Sequence, residues 1–285
     1  MKSDATSVYD ATSTQFVNVK GIDFAYRRFG ANHGPPLLLM THFRASMDNW
    51  DPALLDAIAA ERTVIAFDNR GVARTGGTTP GTYHAMADDA SDFVAALGYD
   101  AVDVLGFSIG GAIAQEMLIH QPGLIRKAVL AASMPPGGKG ILGSRPEIAA
   151  VATKTVVEPD DFLILFFEPT STSQKLGRDY LARRSARTID VEPATGAQTM
   201  QGQGEARKAW AEMDPDQGRV DLGKVVHPVL VANGKNDVML GSANSVLLFN
   251  TLPAAQLILY PDAGHGFLFQ YPELFARHLS IFLNC

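Results

Sequence analysis

Two hydrophobic periods share this chain. Apolar runs at residues 36–40, 63–67, 102–107 and 127–132 are too continuous for half-exposed strands and too short for helices, so they predict strands buried on both faces. Between them, residues 52–60, 85–97 and 109–120 carry apolar side chains at helical spacing, with Gly98 and Pro122 marking the last two ends. Residues 15–19 and 22–29 alternate and are joined by Lys20-Gly21, which predicts a hairpin ahead of the series. Strand and helix taking turns in this way imply an α/β fold with a mostly parallel sheet covered by helices on both faces.

The alternation breaks after Ala132. The stretch M-P-P-G-G-K-G-I-L-G-S-R-P is rich in helix and strand breakers, and the chain then shows helical patterns without a convincing strand to about residue 218. Strand-like runs return at 229–233 and 256–260, and a helix at 272–283 closes the chain. The expected organisation is therefore one α/β core, 15–134 and 218–285, interrupted by a helical cap insertion at 135–217. Residues 1–14 lack periodicity and read as a loose arm.

Composition narrows the partners. At 285 residues and 46% hydrophobic, the chain can bury a large core, and a net charge of −6 disfavours a nucleic-acid surface. Arg178, Arg183, Arg184 and Arg187 cluster at helical spacing and read as a solvated face rather than an anion site. Neither a secretion signal nor a membrane-length apolar run is seen, so a soluble cytoplasmic protein is expected, a monomer or homodimer acting on a small molecule. Cys285 is the single cysteine, which leaves no intrachain disulfide or thiolate metal site.

The chemistry concentrates at G-F-S-I-G, residues 106–110, between a predicted strand and a predicted helix. A serine on so tight a turn crowds the residues two positions either side, which explains glycine at Gly106 and Gly110. The turn lifts the Ser108 hydroxyl clear of the sheet, and the N–H of Ile109 at the helix start can face a developing oxyanion. A hydroxyl needs a base and the base an orienting acid. Asp237 after the 229–233 run and His265 after the 256–260 run supply both, in the order Ser, Asp, His expected for such an elbow. The bland alternative makes Ser108 a helix cap. His33, His84, His120, His227 and His278 read as structural or solvated, Asp262 as shaping the turn before His265, and His42 as a cleft residue.

The chain resembles the capped serine hydrolases of the α/β-hydrolase superfamily from about Phe16 onward. Besides the elbow and the loops of Asp237 and His265, F-D-N-R-G-V-A-R-T-G from Phe67 resembles the family's D-x-R-G-x-G-x-S loop, and L-L-L-M-T-H-F-R-A-S-M-D-N-W its H-G-F-x region before a tryptophan. The resemblance implies an eight-stranded sheet, a cap after strand 6 and a substrate held between core and cap. In the second motif His42 takes the usual glycine position, leaving Phe43 to offer the second oxyanion N–H. Arg44 is a candidate for a substrate carboxylate or carbonyl, or for a structural salt bridge.

Phe162, Phe166, Phe167, Tyr180 and Trp210 give the insertion an aromatic character that suits cap core or pocket lining. The candidate substrate contacts are His42, Arg44, Phe107, Phe166 and Trp210. Residues 138–143 match G-x-G-x-x-G, but Pro135, Pro136 and Pro146 deny the strand and helix that a dinucleotide site needs. No zinc-protease spacing appears, so neither cofactor nor metal is expected. The expectation is a serine hydrolase acting on a carboxylic ester or lactone. Alternatives on the same fold are a carbon–carbon hydrolase, an aminopeptidase and a cofactor-free perhydrolase; outside it stand a non-turnover ligand receptor and a non-hydrolytic lyase or cyclase.

Overall fold

The computed structural model describes residues 7–140 and 145–285. Its eight strands are β1 (Gln15–Val19), β2 (Ile22–Gly30), β3 (Leu37–Met40), β4 (Thr63–Phe67), β5 (Val102–Phe107), β6 (Ile125–Ala131), β7 (Val229–Gly234) and β8 (Ala255–Tyr260). They form one sheet in the order β1-β2-β4-β3-β5-β6-β7-β8. The β1/β2 and β2/β4 pairs are antiparallel, and every later pair is parallel.

Side chains of the parallel strands alternate between two apolar layers. Leu37 and Leu39 enter the layer built on Trp50, Leu54 and the helix Pro272–Asn284, whereas Leu38 and Met40 enter the layer of Phe93 and Met117. Both faces of the sheet are thus covered, which is why the central strands read as near-continuous apolar runs. The same arrangement places four of the functional candidates on loops leaving the carboxyl ends of strands: His42 after β3, Ser108 after β5, Asp237 after β7 and His265 after β8.

Two expectations need correction. The arm is not loose where it is described: Val8–Ala11 is a helix whose buried Tyr9 donates its hydroxyl to the Met47 carbonyl at 2.6 Å, while Asp56 accepts from Ser7 Oγ and the Tyr9 N–H. Residues 1–6 lie outside the described part. The arginine cluster is not a solvated face beyond Arg178. Arg183 holds the buried Asp51 with two hydrogen bonds, Arg187 is buried and donates to the Tyr9, Asp10 and Thr12 carbonyls, and Arg184 lies over Phe162 and Tyr180. A long-range partner leaves no trace in local spacing, so helical periodicity alone pointed to solvent.

The cap comprises helices Pro146–Ala152, Pro159–Phe166, Ser171–Arg184, Ala197–Ala211 and Pro215–Leu222, the last crossing the expected boundary at residue 217. It is tied to the core at many points. Tyr180 donates to the Asn49 carbonyl, Thr199 to the Gly71 carbonyl and Trp210 to the Met134 carbonyl. Gly138, Lys139 and Gly140 are irregular, and residues 141–144 of the glycine-rich motif lie outside the described part.

Candidate active site

Ser108 occupies the strained turn between β5 and the helix Ile109–His120, with φ 59° and ψ −117°. This left-handed region disfavours a residue with a Cβ, and the neighbouring glycines make it attainable. A Cβ on Gly106 would collide with the Gly110 carbonyl, and one on Gly110 with the Met40 carbonyl, so both positions exclude any side chain. Ser108 makes no side-chain cap bond, which removes the bland explanation of its place at the helix start.

His265 is held from behind. Its Nδ1–H donates to Asp237 Oδ2 at 2.8 Å, while Asp237 Oδ1 accepts the N–H groups of Met239 at 2.8 Å and Leu240 at 3.0 Å. All the carboxylate's strong bonds therefore fix its plane, and the Asn236 N–H, bonded to the Ala263 carbonyl, ties the two loops together. With the proton on Nδ1, His265 Nε2 keeps a lone pair; that atom is buried and has no hydrogen-bond partner among the described residues. Phe107 and Phe166 flank the imidazole at ring distances of 5.1 and 5.2 Å. The Phe166 carbonyl in turn accepts the Gly266 N–H at 2.7 Å, which couples the cap to the histidine loop.

A cavity of about 1110 Å³ lies between core and cap, and Ser108, Ile109, His265, His42 and Phe43 all line it. Ile109 is the first residue of its helix, so its N–H has no carbonyl within the helix to take it. His42 gives its Nδ1–H to the Phe43 carbonyl at 3.1 Å and leaves Nε2 buried without a hydrogen-bond partner among the described residues. Burial, reinforced by the nearby His265, pushes the His42 pKa down from 6.5 to about 3, so this imidazole is neutral near pH 7. The side chain in place of the usual glycine is therefore uncharged.

The remaining candidates divide. Phe166 and Trp210 line the cavity as expected, with Trp210 edge-on to Tyr83 at 5.6 Å. Phe107 does not. It is fully buried behind the wall, packed edge-on against His42, and supports the two imidazoles instead of meeting a ligand. Arg44 borders the cavity but makes neither a salt bridge among the described residues nor an open anion site: its guanidinium donates to the Lys154 and Thr155 carbonyls, and its backbone N–H to Gln203 Oε1 at 2.7 Å, stapling two cap segments. Among the cap aromatics Phe162 reaches the cavity, whereas Tyr180 stacks on Phe269 at 4.3 Å within the packing. Sequence reasoning missed Arg207, which lines the cavity with its guanidinium 4.9 Å from the Phe43 ring. Nothing in the spacing of the helix Ala197–Ala211 distinguishes it from Lys208 beside it. Asp262 has φ 48° and accepts a hydrogen bond from Thr170, consistent with shaping the turn before His265.

A parallel-rich eight-stranded sheet with this elbow defines an α/β hydrolase. The chain belongs to that family: the family model described as "alpha/beta hydrolase fold" matches residues 35–272. A solved alpha/beta hydrolase fold protein from Chitinophaga pinensis is 39% identical, with a TM-score of 0.90 over 97% of this chain and 98% of that one. Among curated proteins, a putative carbamate hydrolase, RutD, from Agrobacterium fabrum is 28% identical over 87% of this chain and 93% of its own length. A non-heme chloroperoxidase from Streptomyces lividans is 29% identical over 93% and 97% respectively. No described helix is long and apolar enough to cross a membrane.

Proposed function

We propose that the protein is a serine hydrolase that cleaves a carboxylic ester or lactone through an acyl-enzyme on Ser108. The observation that carries this reading is the His265–Asp237 pair at 2.8 Å, whose outward nitrogen has a free lone pair in a cavity wall shared with Ser108. In the reactive arrangement the Ser108 hydroxyl turns toward Nε2, gives up its proton and attacks the carbonyl carbon. The N–H groups of Ile109 and Phe43 receive the oxyanion, and Asp237 stabilises the imidazolium. Collapse of the tetrahedral adduct expels the alcohol with the proton from Nε2. Water, deprotonated by the same nitrogen, then releases the acid and restores the serine.

The cavity supports an uncharged, apolar substrate. Phe162, Leu165, Phe166, Trp210 and Met239 contribute apolar surface, and the volume of about 1110 Å³ slightly exceeds that of ordinary ligand pockets. A neutral His42 adds a polar atom without a charge. A second reading draws on the likeness to the Streptomyces chloroperoxidase: peroxide rather than water attacks the same acyl-enzyme, giving a peracid.

The test is a panel of nitrophenyl esters of rising acyl length, together with lactones, with and without hydrogen peroxide, on wild type and Ser108→Ala. Turnover by wild type that Ser108→Ala lacks supports the proposal, and peracid formation selects the second reading. Equal rates from both proteins would remove Ser108 from the mechanism.

A further inference from the structure

One cluster of ligating side chains stands apart from the cavity. His84 lies near the start of the helix Tyr83–Ala96, and Glu116 and His120 lie one turn apart on the helix Ile109–His120, against which it packs. Glu116 Oε2 is 3.0 Å from His84 Nδ1 and 3.3 Å from His120 Nε2. One ligand atom from each of the three residues lies within 4.8 Å of the other two. None of the three lines the candidate active-site cavity.

We propose that His84, Glu116 and His120 form a binding site for a divalent transition ion of the Zn²⁺ class. Tetrahedral ligands about 2.1 Å from a central ion stand roughly 3.4 Å from one another, close to the two nitrogen–oxygen separations observed. Two imidazoles and one carboxylate are the donor set of open three-ligand zinc sites, with water in the remaining position. The same set favours Zn²⁺, Co²⁺, Ni²⁺ or Cu²⁺ over Mg²⁺ and Ca²⁺, which require more oxygen ligands. A supporting carboxylate is also in place. When His84 ligates through Nδ1, its Nε2–H faces Asp88 Oδ2, now 3.8 Å away on the next turn of the same helix.

The cluster has a preorganised centre. Glu116 is buried while both histidines are exposed, so an ion can enter from solvent and meet a carboxylate that is already oriented. Without a metal, Glu116 accepts a hydrogen bond from His84 Nδ1 and stands 3.3 Å from His120 Nε2, and an ion would take the place between these atoms. Because the ligands come from two helices, binding would cross-link the helix that begins at Tyr83 in the cavity wall to the one that begins at Ile109. Stabilisation of the fold, rather than a change in turnover, is the expected consequence. Along the sequence Glu116 and His120 stand one helical turn apart, whereas His84 is remote from both.

Titration calorimetry with ZnCl₂ on tag-free, chelator-treated protein tests the assignment, paired with Co²⁺ absorption to report the ligand field. One equivalent per chain, a tetrahedral Co²⁺ spectrum and a zinc-dependent rise in melting temperature are expected. His84→Ala, His120→Ala and Glu116→Gln should each weaken binding at least tenfold and abolish the rise, and Asp88→Asn should weaken it less. His265→Ala should bind as wild type does. The proposal is overturned if wild type takes up no stoichiometric ion, if the folded double variant His84→Ala/His120→Ala binds with unchanged affinity, or if His265→Ala removes the binding.

Discussion

Replacing Asp237 by Asn exposes the logic of the site with almost no change in shape. Asp237 Oδ1 accepts two backbone N–H groups, from Met239 and Leu240, so the amide oxygen of an Asn is held in that position and its NH₂ is turned toward His265. The nitrogen that now donates across 2.8 Å would face a donor, and His265 would have to carry its proton on Nε2. In that tautomer it cannot accept the Ser108 proton. A wrong-tautomer histidine in an equivalent serine–histidine–aspartate arrangement lowers kcat by about 10⁴-fold, or about 5 kcal/mol of barrier. The assay is kcat for the best nitrophenyl ester, alongside thermal melting to show that the isosteric variant folds as wild type does. Retention of kcat within tenfold of wild type by a folded Asp237→Asn protein would refute the base assignment.

Other expectations follow from the same geometry. Gly106→Ala brings a Cβ within 2.7 Å of the Gly111 Cα and against the Gly110 carbonyl, so chemical denaturation should show a loss of about 3 kcal/mol or more, or no folded protein. Arg183→Ala leaves the buried Asp51 without its cation and should destabilise by about 3 kcal/mol in urea unfolding. His42 has a folded pKa lowered from 6.5 to about 3, so its contribution is fully present above pH 6.5. As pH falls below that value only the unfolded chain gains the proton, and stability drops by about 1.4 kcal/mol per pH unit. Acid unfolding of His42→Asn should therefore have a shallower pH slope than wild type; superimposable profiles would contradict a buried neutral His42.

The strands were readable because both faces of the sheet are buried, which writes a near-continuous apolar run at β3, β4 and β5, broken in β5 by Asp103, which is buried against Arg62 and Arg126. The elbow was readable for a related reason, since backbone collisions leave glycine as the residue that fits at Gly106 and Gly110. What stayed hidden depends on partners far away in the chain. Arg187 reads as a surface charge until its guanidinium meets the carbonyls of residues some 175 positions earlier, from Tyr9 to Thr12. Arg44 likewise became a staple through cap carbonyls that no motif specifies. Phe107 differs for a geometric reason: Ser108 beside it lines the cavity, but strand alternation sends the Phe107 ring into the core behind His265.

The central claim is that Ser108 is an activated nucleophile, and intact-protein mass spectrometry after treatment with a fluorophosphonate tests it most directly. Wild type should gain one adduct, mapped by peptide digestion to Ser108, and Ser108→Ala should gain none. Folded wild-type protein that stays unmodified, or an adduct carried on another residue, would contradict it.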